Sequence, residues 1–199
     1  MRDEAVKIEK LKDVAMARLG YPFRGAVEEV RNGEVAVVQI KNADPERGID
    51  WDDLVRTSLP GRKQPDWLQT GDVLFTARGN RNVAVHVDQT PGQAVCAPHF
   101  YLLRTLDQRV LPAYLAWYFN EAPAQRYFAR SAEGSVITSI RRAVLEALPV
   151  PVPSLERQQL IVDLMAAARR EKQFTEQLIR NREQQLMLVA RDLIQQVHK

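Results

Sequence analysis

Residues 148–162 read LPVPVPSLERQQLIV. Pro149, Pro151 and Pro153 each fix φ and withhold an N–H, so the segment is held extended and no helix runs through it. Ser154 then supplies an N-cap oxygen. Glu156 places a negative charge in the first turn, where the helix dipole favours one. Beyond Pro153 there is neither proline nor glycine; all eleven prolines, and every glycine except Gly20, lie between Pro22 and Pro153. This pattern predicts a globular domain over 1–153 and one long helix over 154–199.

The second region is rich in Gln, Arg, Glu, Leu and Ala, which suit a helix. An unbroken helix from Ser154 to His198 is about 67 Å long at ~1.5 Å per residue, more than a domain of this size is wide. Apolar residues fall at Ile161 and Met165, then at Ile179, Leu186 and Leu193 with a spacing of seven, and Leu178, Val189, Ile194 and Val197 lie alongside. Such a repeat marks a coiled-coil seam. The stretch 169–177 interrupts it and is polar apart from Phe174. A large apolar side chain left in water forgoes about 1.5–3 kcal/mol of burial. The expected subunit interface is therefore Ile161, Met165, Ile179, Leu186, Val189, Leu193 and Val197, in a homodimer or an assembly with another subunit.

Upstream the pattern differs. Lys7 to Leu19 has apolar residues at Ile8, Leu11, Val14 and Leu19, which predicts a short amphipathic helix ended by Gly20 and Pro22. Strands are predicted at Glu34 to Ile40, after a hairpin-type Asn32-Gly33 turn, and at Asp72 to Ala77, Asn82 to Val87 and Phe100 to Leu103. Leu111 to Phe128 reads as helix, bent or ended by Pro123, and Ile140 to Leu148 as another short helix. Strands followed by helices imply an α+β domain with a mixed or antiparallel sheet, not a doubly wound one. The long coiled-coil-forming helix follows it.

The 199 residues are 45% apolar and 27% charged, which excludes a disordered chain, a collagen and a disulfide scaffold. Cys96 is the single cysteine and fits a reducing cytoplasm. No stretch is apolar for 18 residues, and residues 1–12 lack the apolar core of a signal peptide, so neither a membrane span nor a secretion signal is expected. Net charge is +3, mildly basic.

Phosphate-cradling loops of the G-x-x-x-x-G-K and G-x-G-x-x-G kinds do not occur, nor does a G-x-S-x-G serine. Cys96 and His99 have the spacing of a metal pair, but no second pair completes a site. No catalytic residue, metal or cofactor is expected. One enzymatic alternative rests on Gln39-Ile40-Lys41 at the end of a strand, with Glu28 or Glu29 as an upstream acid, as in magnesium-dependent nucleases. The bland reading of that stretch is a core strand emerging into a polar loop.

Basic residues are concentrated. Arg56, Arg62, Lys63, Arg78 and Arg81 face only Asp66 and Asp72 over residues 56–81; Arg126, Arg130, Arg141 and Arg142 face only Glu133 over 126–142. Each segment has a local excess of positive charge, the footprint of a nucleic-acid surface. In the loop Arg78-Gly79-Asn80-Arg81-Asn82, arginines suit guanine edges and asparagines adenine, so these residues are expected at base edges. Ser135, Thr138, Ser139 and Arg141 are expected nearer phosphates, with Lys41, Asn42, Arg62 and Lys63 as further DNA contacts.

In order along the chain, Gly71-Asp72-Val73-Leu74 with the turn at Gly79, the strand from His99 to Arg104, Pro112-Ala113-Tyr114-Leu115, the loop Gly134-Ser135-Val136-Ile137, and the junction 148–162 resemble the specificity (S) subunit of type I restriction–modification enzymes. The match is to a half-length form with one target-recognition domain and one helical spacer. The resemblance implies a non-catalytic subunit that reads double-stranded DNA and directs methyltransferase (M) and restriction (R) subunits to a target site in DNA modification and phage defence. Two chains pairing their helices antiparallel would rebuild the full-length subunit's duplicated architecture. Two alternatives stand beside this: the nuclease, which magnesium-dependent cleavage would select, and a helical interaction protein whose basic loops are incidental, which a lack of salt-dependent DNA binding would select.

Overall fold

In the computed structural model, residues 6–59, 64–78, 82–131 and 139–196 are described, 195 and 196 for their backbone alone. The elements run β1 (Lys7–Lys10), α1 (Leu11–Val14), β2 (Ala15–Leu19), β3 (Val35–Val38), a 3-10 turn (Ile40–Asn42), β4 (Ala43–Asp44), β5 (Gly48–Ile49), β6 (Val55–Thr57), β7 (Val73–Thr76), β8 (Ala84–His86), β9 (Ala94–Cys96) and β10 (Phe100–Thr105). Then come α2 (Pro112–Asn120), α3 (Ala122–Ser131), α4 (Arg142–Glu146), β11 (Pro149–Val152) and α5 (Leu155–Gln196). This is the expected α+β architecture with a long C-terminal helix.

Strand alternation builds the layers. An antiparallel sheet in the order β2-β10-β7-β8 faces a smaller sheet β6-β3-β9, in which β3 and β9 are parallel. Leu74, Phe100 and Leu102 of the first sheet and Ala36, Val38, Ala94 and Cys96 of the second share one buried cluster. The odd-numbered neighbours point the other way. Phe75 stacks against Phe119 of α2 and Phe128 of α3 at centroid distances of 5.1 and 4.7 Å. Val35, Val37 and Val95 pack with Tyr21 and Ala97 beyond the small sheet. A period of two thus serves both faces of buried strands.

Two expectations are corrected. Lys7 to Leu19 is not one helix but strand, single turn, strand. Leu11 and Val14 are both buried, and one helical turn satisfies their i, i+3 spacing. The flanking residues instead find backbone partners far along the chain, β1 on β11 and β2 on β10. Pairing with distant strands overrides a weak local helical pattern. The Asn32-Gly33 turn forms, with Asn32 at φ 69° and the Gly33 N–H donating to the Val30 carbonyl at 2.8 Å. It does not make a hairpin, because β3 pairs with β6 and β9. A Cβ on Gly33 would lie 2.5 Å from the Thr57 nitrogen, so only glycine admits that approach.

The predicted 111–128 helix is two helices. Glu121 separates them, and Pro123 sits in the first turn of α3, where its missing N–H goes unused.

The joint around 148–159 is closely bonded. The Tyr114 and Tyr118 hydroxyls donate to the carbonyls of Pro151 and Pro149, both at 2.8 Å, and burial pushes the Tyr114 hydroxyl up to about 12. Gln158 is fully buried; its Oε1 accepts the Leu111 N–H, and its Nε2 donates to the carbonyls of Arg109 and Pro153, each at 2.8 Å. The Ser154 Oγ accepts the Arg157 N–H at 3.4 Å, a long N-cap bond.

The chain divides into two compact units, residues 1–159 and 160–199. Within the second unit Leu160, Leu164, Phe174, Leu178, Ile179, Leu186, Met187, Leu188, Val189, Leu193 and Ile194 are all exposed, while Ile161 and Met165 are half-buried. Val197 lies outside the described residues. Among the described residues, no helix is long and apolar enough to cross a membrane.

Candidate nucleic-acid interface

β7 leads to Arg78, and its entry is strapped down. Asp72 is buried and accepts Arg104 Nε at 2.7 Å, Arg104 Nη2 at 2.9 Å and the Gln69 N–H at 2.8 Å. The Arg104 guanidinium also donates to the Trp67 carbonyl at 3.2 Å, and the Asp72 hydrogen bond holds its pKa above the ordinary value. This fork joins the two stretches that sequence comparison would align separately, Gly71–Leu74 and His99–Arg104.

At the other end of β7 a run of backbone hydrogen bonds gathers four segments. The Ala97 N–H donates to the Val38 carbonyl at 2.9 Å, the Ala77 N–H to the His99 carbonyl at 2.8 Å, and the Ile140 N–H to the Ala77 carbonyl at 2.9 Å. Arg78 and Ser139 form an antiparallel bridge. The ends of β3, β7 and β9 and the start of β10 therefore lie together, and two basic segments far apart in sequence become neighbours. Arg78, Arg126, Arg130, Arg141 and Arg142 are exposed. Among the described residues Arg78 has no carboxylate partner, whereas Arg142 Nε meets Glu146 Oε1 at 2.6 Å. The Tyr127 hydroxyl donates to the Val144 carbonyl at 2.9 Å and ties α3, which carries Arg126 and Arg130, to α4.

The remaining expected contacts divide. Lys41 is exposed and ion-paired with Asp53 at 2.9 Å; with Gln39 and His99 it lines an open cleft of ≈ 330 Å³ floored by Phe23, Val27 and Pro98. Asn42 is turned inward: its Oδ1 accepts the Gln39 N–H at 3.1 Å and its Nδ2 donates to the Asp53 carbonyl at 2.9 Å, so it braces the 3-10 turn. Asn82 donates its Nδ2 to the Thr76 carbonyl at 2.9 Å and braces the loop after β7. Ser139 is half-buried at the bridge. Arg62, Lys63, Asn80, Arg81, Ser135 and Thr138 lie outside the described residues. Sequence reasoning missed the strap Asp72–Arg104 and the buried Gln158 as organising residues, although each sits in a motif it had quoted.

The chemistry offered is cationic and hydrogen-bonding. Cys96 is sealed in the core, where burial pushes its thiol up to about 12. Burial also lowers the pKa of His86, which favours the neutral imidazole. Gln39 and Lys41 sit at the start of a 3-10 turn, with Lys41 held by Asp53. Among the described residues no group of three or more His, Cys, Asp or Glu could hold a metal.

An α+β domain with exposed arginines where β7 ends, followed by a long helix with exposed leucines, is the class of protein defined by this geometry. The type I restriction modification DNA specificity domain matches residues 4–184, and the chain belongs to that family. Solved structures share the fold. The HsdS subunit from Thermoanaerobacter tengcongensis is similar at TM-score 0.59 and 16% identity over 86% of this chain. The type I restriction-modification S subunit from M. genitalium is similar at TM-score 0.53 and 12% identity over 84%. A chain from a study of complex assembly and conformational transition in the type I R-M system is similar at TM-score 0.53 and 18% identity over 85%. The matches span 39%, 40% and 41% of those chains, respectively. No curated protein matches the chain.

Proposed function

We propose that this chain is the DNA-reading part of a type I restriction–modification system, a recognition component without catalysis of its own. The observation that carries the reading is the Arg78–Ser139 bridge, which joins two separately basic segments into one cationic surface. In this reading the 78–82 loop meets base edges in the major groove, and the 135–141 segment meets phosphates. Residues 1–153 act as the recognition domain. Residues 154–199 act as a spacer that pairs with a second copy, antiparallel, and positions M and R subunits. Double-stranded DNA and those subunits are its partners.

The test compares the protein with and without single changes on its target site and on random DNA, the site being read from the methylome of the host with and without the gene. Arg78→Ala loses about 1–3 kcal/mol on the specific site and little on random DNA. Arg141→Ala weakens both and flattens the salt slope by about one unit. Equal losses on both DNAs for every change would remove the base-reading assignment. Plasmid incubated with the chain alone, magnesium, ATP and S-adenosylmethionine stays unchanged; cleavage abolished by Lys41→Ala would instead establish the nuclease.

A further inference from the structure

Tyr101 belongs to none of the contacts read from the sequence, yet its strand lies beside the one that leads to Arg78. β10 sets it opposite Phe75 of β7, just before the chain reaches Arg78. It is 8% exposed. The Tyr114, Tyr118 and Tyr127 hydroxyls each donate to a main-chain carbonyl. The Tyr101 hydroxyl has no hydrogen-bond partner among the described residues. Burial raises its pKa most, Arg78 and Arg142 oppose that rise, and Glu146 adds to it. Phe75, directly opposite and on the same face, packs against Phe128 of α3 at 4.7 Å, and Tyr127 of α3 bonds Val144 of α4, so Tyr101 lies on the face toward which the helices bearing Arg142 and Glu146 pack.

We propose that Tyr101 and Arg142 form a seat for one phosphodiester group of the DNA backbone, beside Arg78, and that Glu146 holds Arg142 in the free chain until the phosphate takes its place. The inference rests on the DNA-reading function above. A phosphodiester carries one negative charge and two acceptor oxygens, matching a guanidinium fork and one O–H donor. The Arg142–Glu146 pair is exposed and spaced i, i+4, a weak kind of pair that a phosphate can displace. Tyr101 and Arg142 are then positioning residues: they register the duplex so that Arg78 meets a base edge.

The experiment uses the full chain and target duplexes with a neutral methylphosphonate at one position at a time. The wild type loses affinity at a particular phosphate. Arg142→Gln and Tyr101→Phe, checked for folding by circular dichroism, bind the natural duplex more weakly and lose nothing further when that phosphate is neutral. Glu146→Gln binds the natural duplex about two- to fivefold more tightly, because the competing carboxylate is gone. Variants that keep the wild-type loss at every position, or a Glu146→Gln chain with unchanged affinity, overturn the seat. Absence of wild-type DNA binding removes the DNA reading itself, and the seat with it.

Discussion

Residues 148–159 and residues 160–194 are adjacent along the chain and opposite in character. In the first stretch the fully buried Gln158 amide makes three hydrogen bonds at 2.8 Å within its own unit. In the second, Leu160, Leu178, Leu188 and Leu193 are each at least 60% exposed. A buried amide left half-satisfied is expensive, so the joint tolerates little change. Exposed leucines on a helix forgo burial that a partner helix would supply. One stretch has its buried amide satisfied within its own unit; the other leaves large apolar side chains exposed.

Three variants probe that contrast. Asp72→Ala, which breaks a buried strap elsewhere in the same unit, has the largest effect: it leaves the Arg104 guanidinium and the Gln69 N–H without that acceptor and lowers stability by about 3 kcal/mol in urea unfolding. Gln158→Ala removes three hydrogen bonds and strands the Leu111 N–H, at about 2 kcal/mol by the same measurement. A loss below about 0.5 kcal/mol would show that the joint is less integral than its bonding. Leu186→Glu with Leu193→Glu moves the domain's own unfolding least, within about 0.5 kcal/mol. Sedimentation then shows the pair of substitutions as monomer where the wild type is dimer, with weaker binding to specific DNA because the second half-site is lost. A wild-type monomer at micromolar concentration would remove the homodimer, and a pull-down with the M subunit would then decide the docking role.

Much of this was legible in the residues. The proline alternation at 149–153 marks where an extended strand, β11, gives way to α5. Buried runs such as Val35–Val38 and Val73–Thr76 announce strands. Other features could not be read locally. The helical spacing of Leu11 and Val14 belongs to a single turn between two strands, and Ile8 lies in the first of them, because the carbonyls and N–H groups that claim the flanking residues lie in β11 and β10. Asn42 and Asn82 have the composition of DNA readers, but their amides brace turns. Tyr101 carried no signal, since an aromatic in a buried strand reads as core.

By itself the sequence determined the α+β class, the long C-terminal helix and the presence of two basic segments. Those properties follow from composition, breakers and periodicity, which act over a few neighbouring residues. Only the tertiary structure decided that Asp72 straps Arg104, that Arg78 lies against Ser139, and that Gln158 closes the joint. Each is a pairing of groups far apart along the chain. A hydrogen bond or ion pair depends on distance in space, and that distance exists only once the sheets have set it.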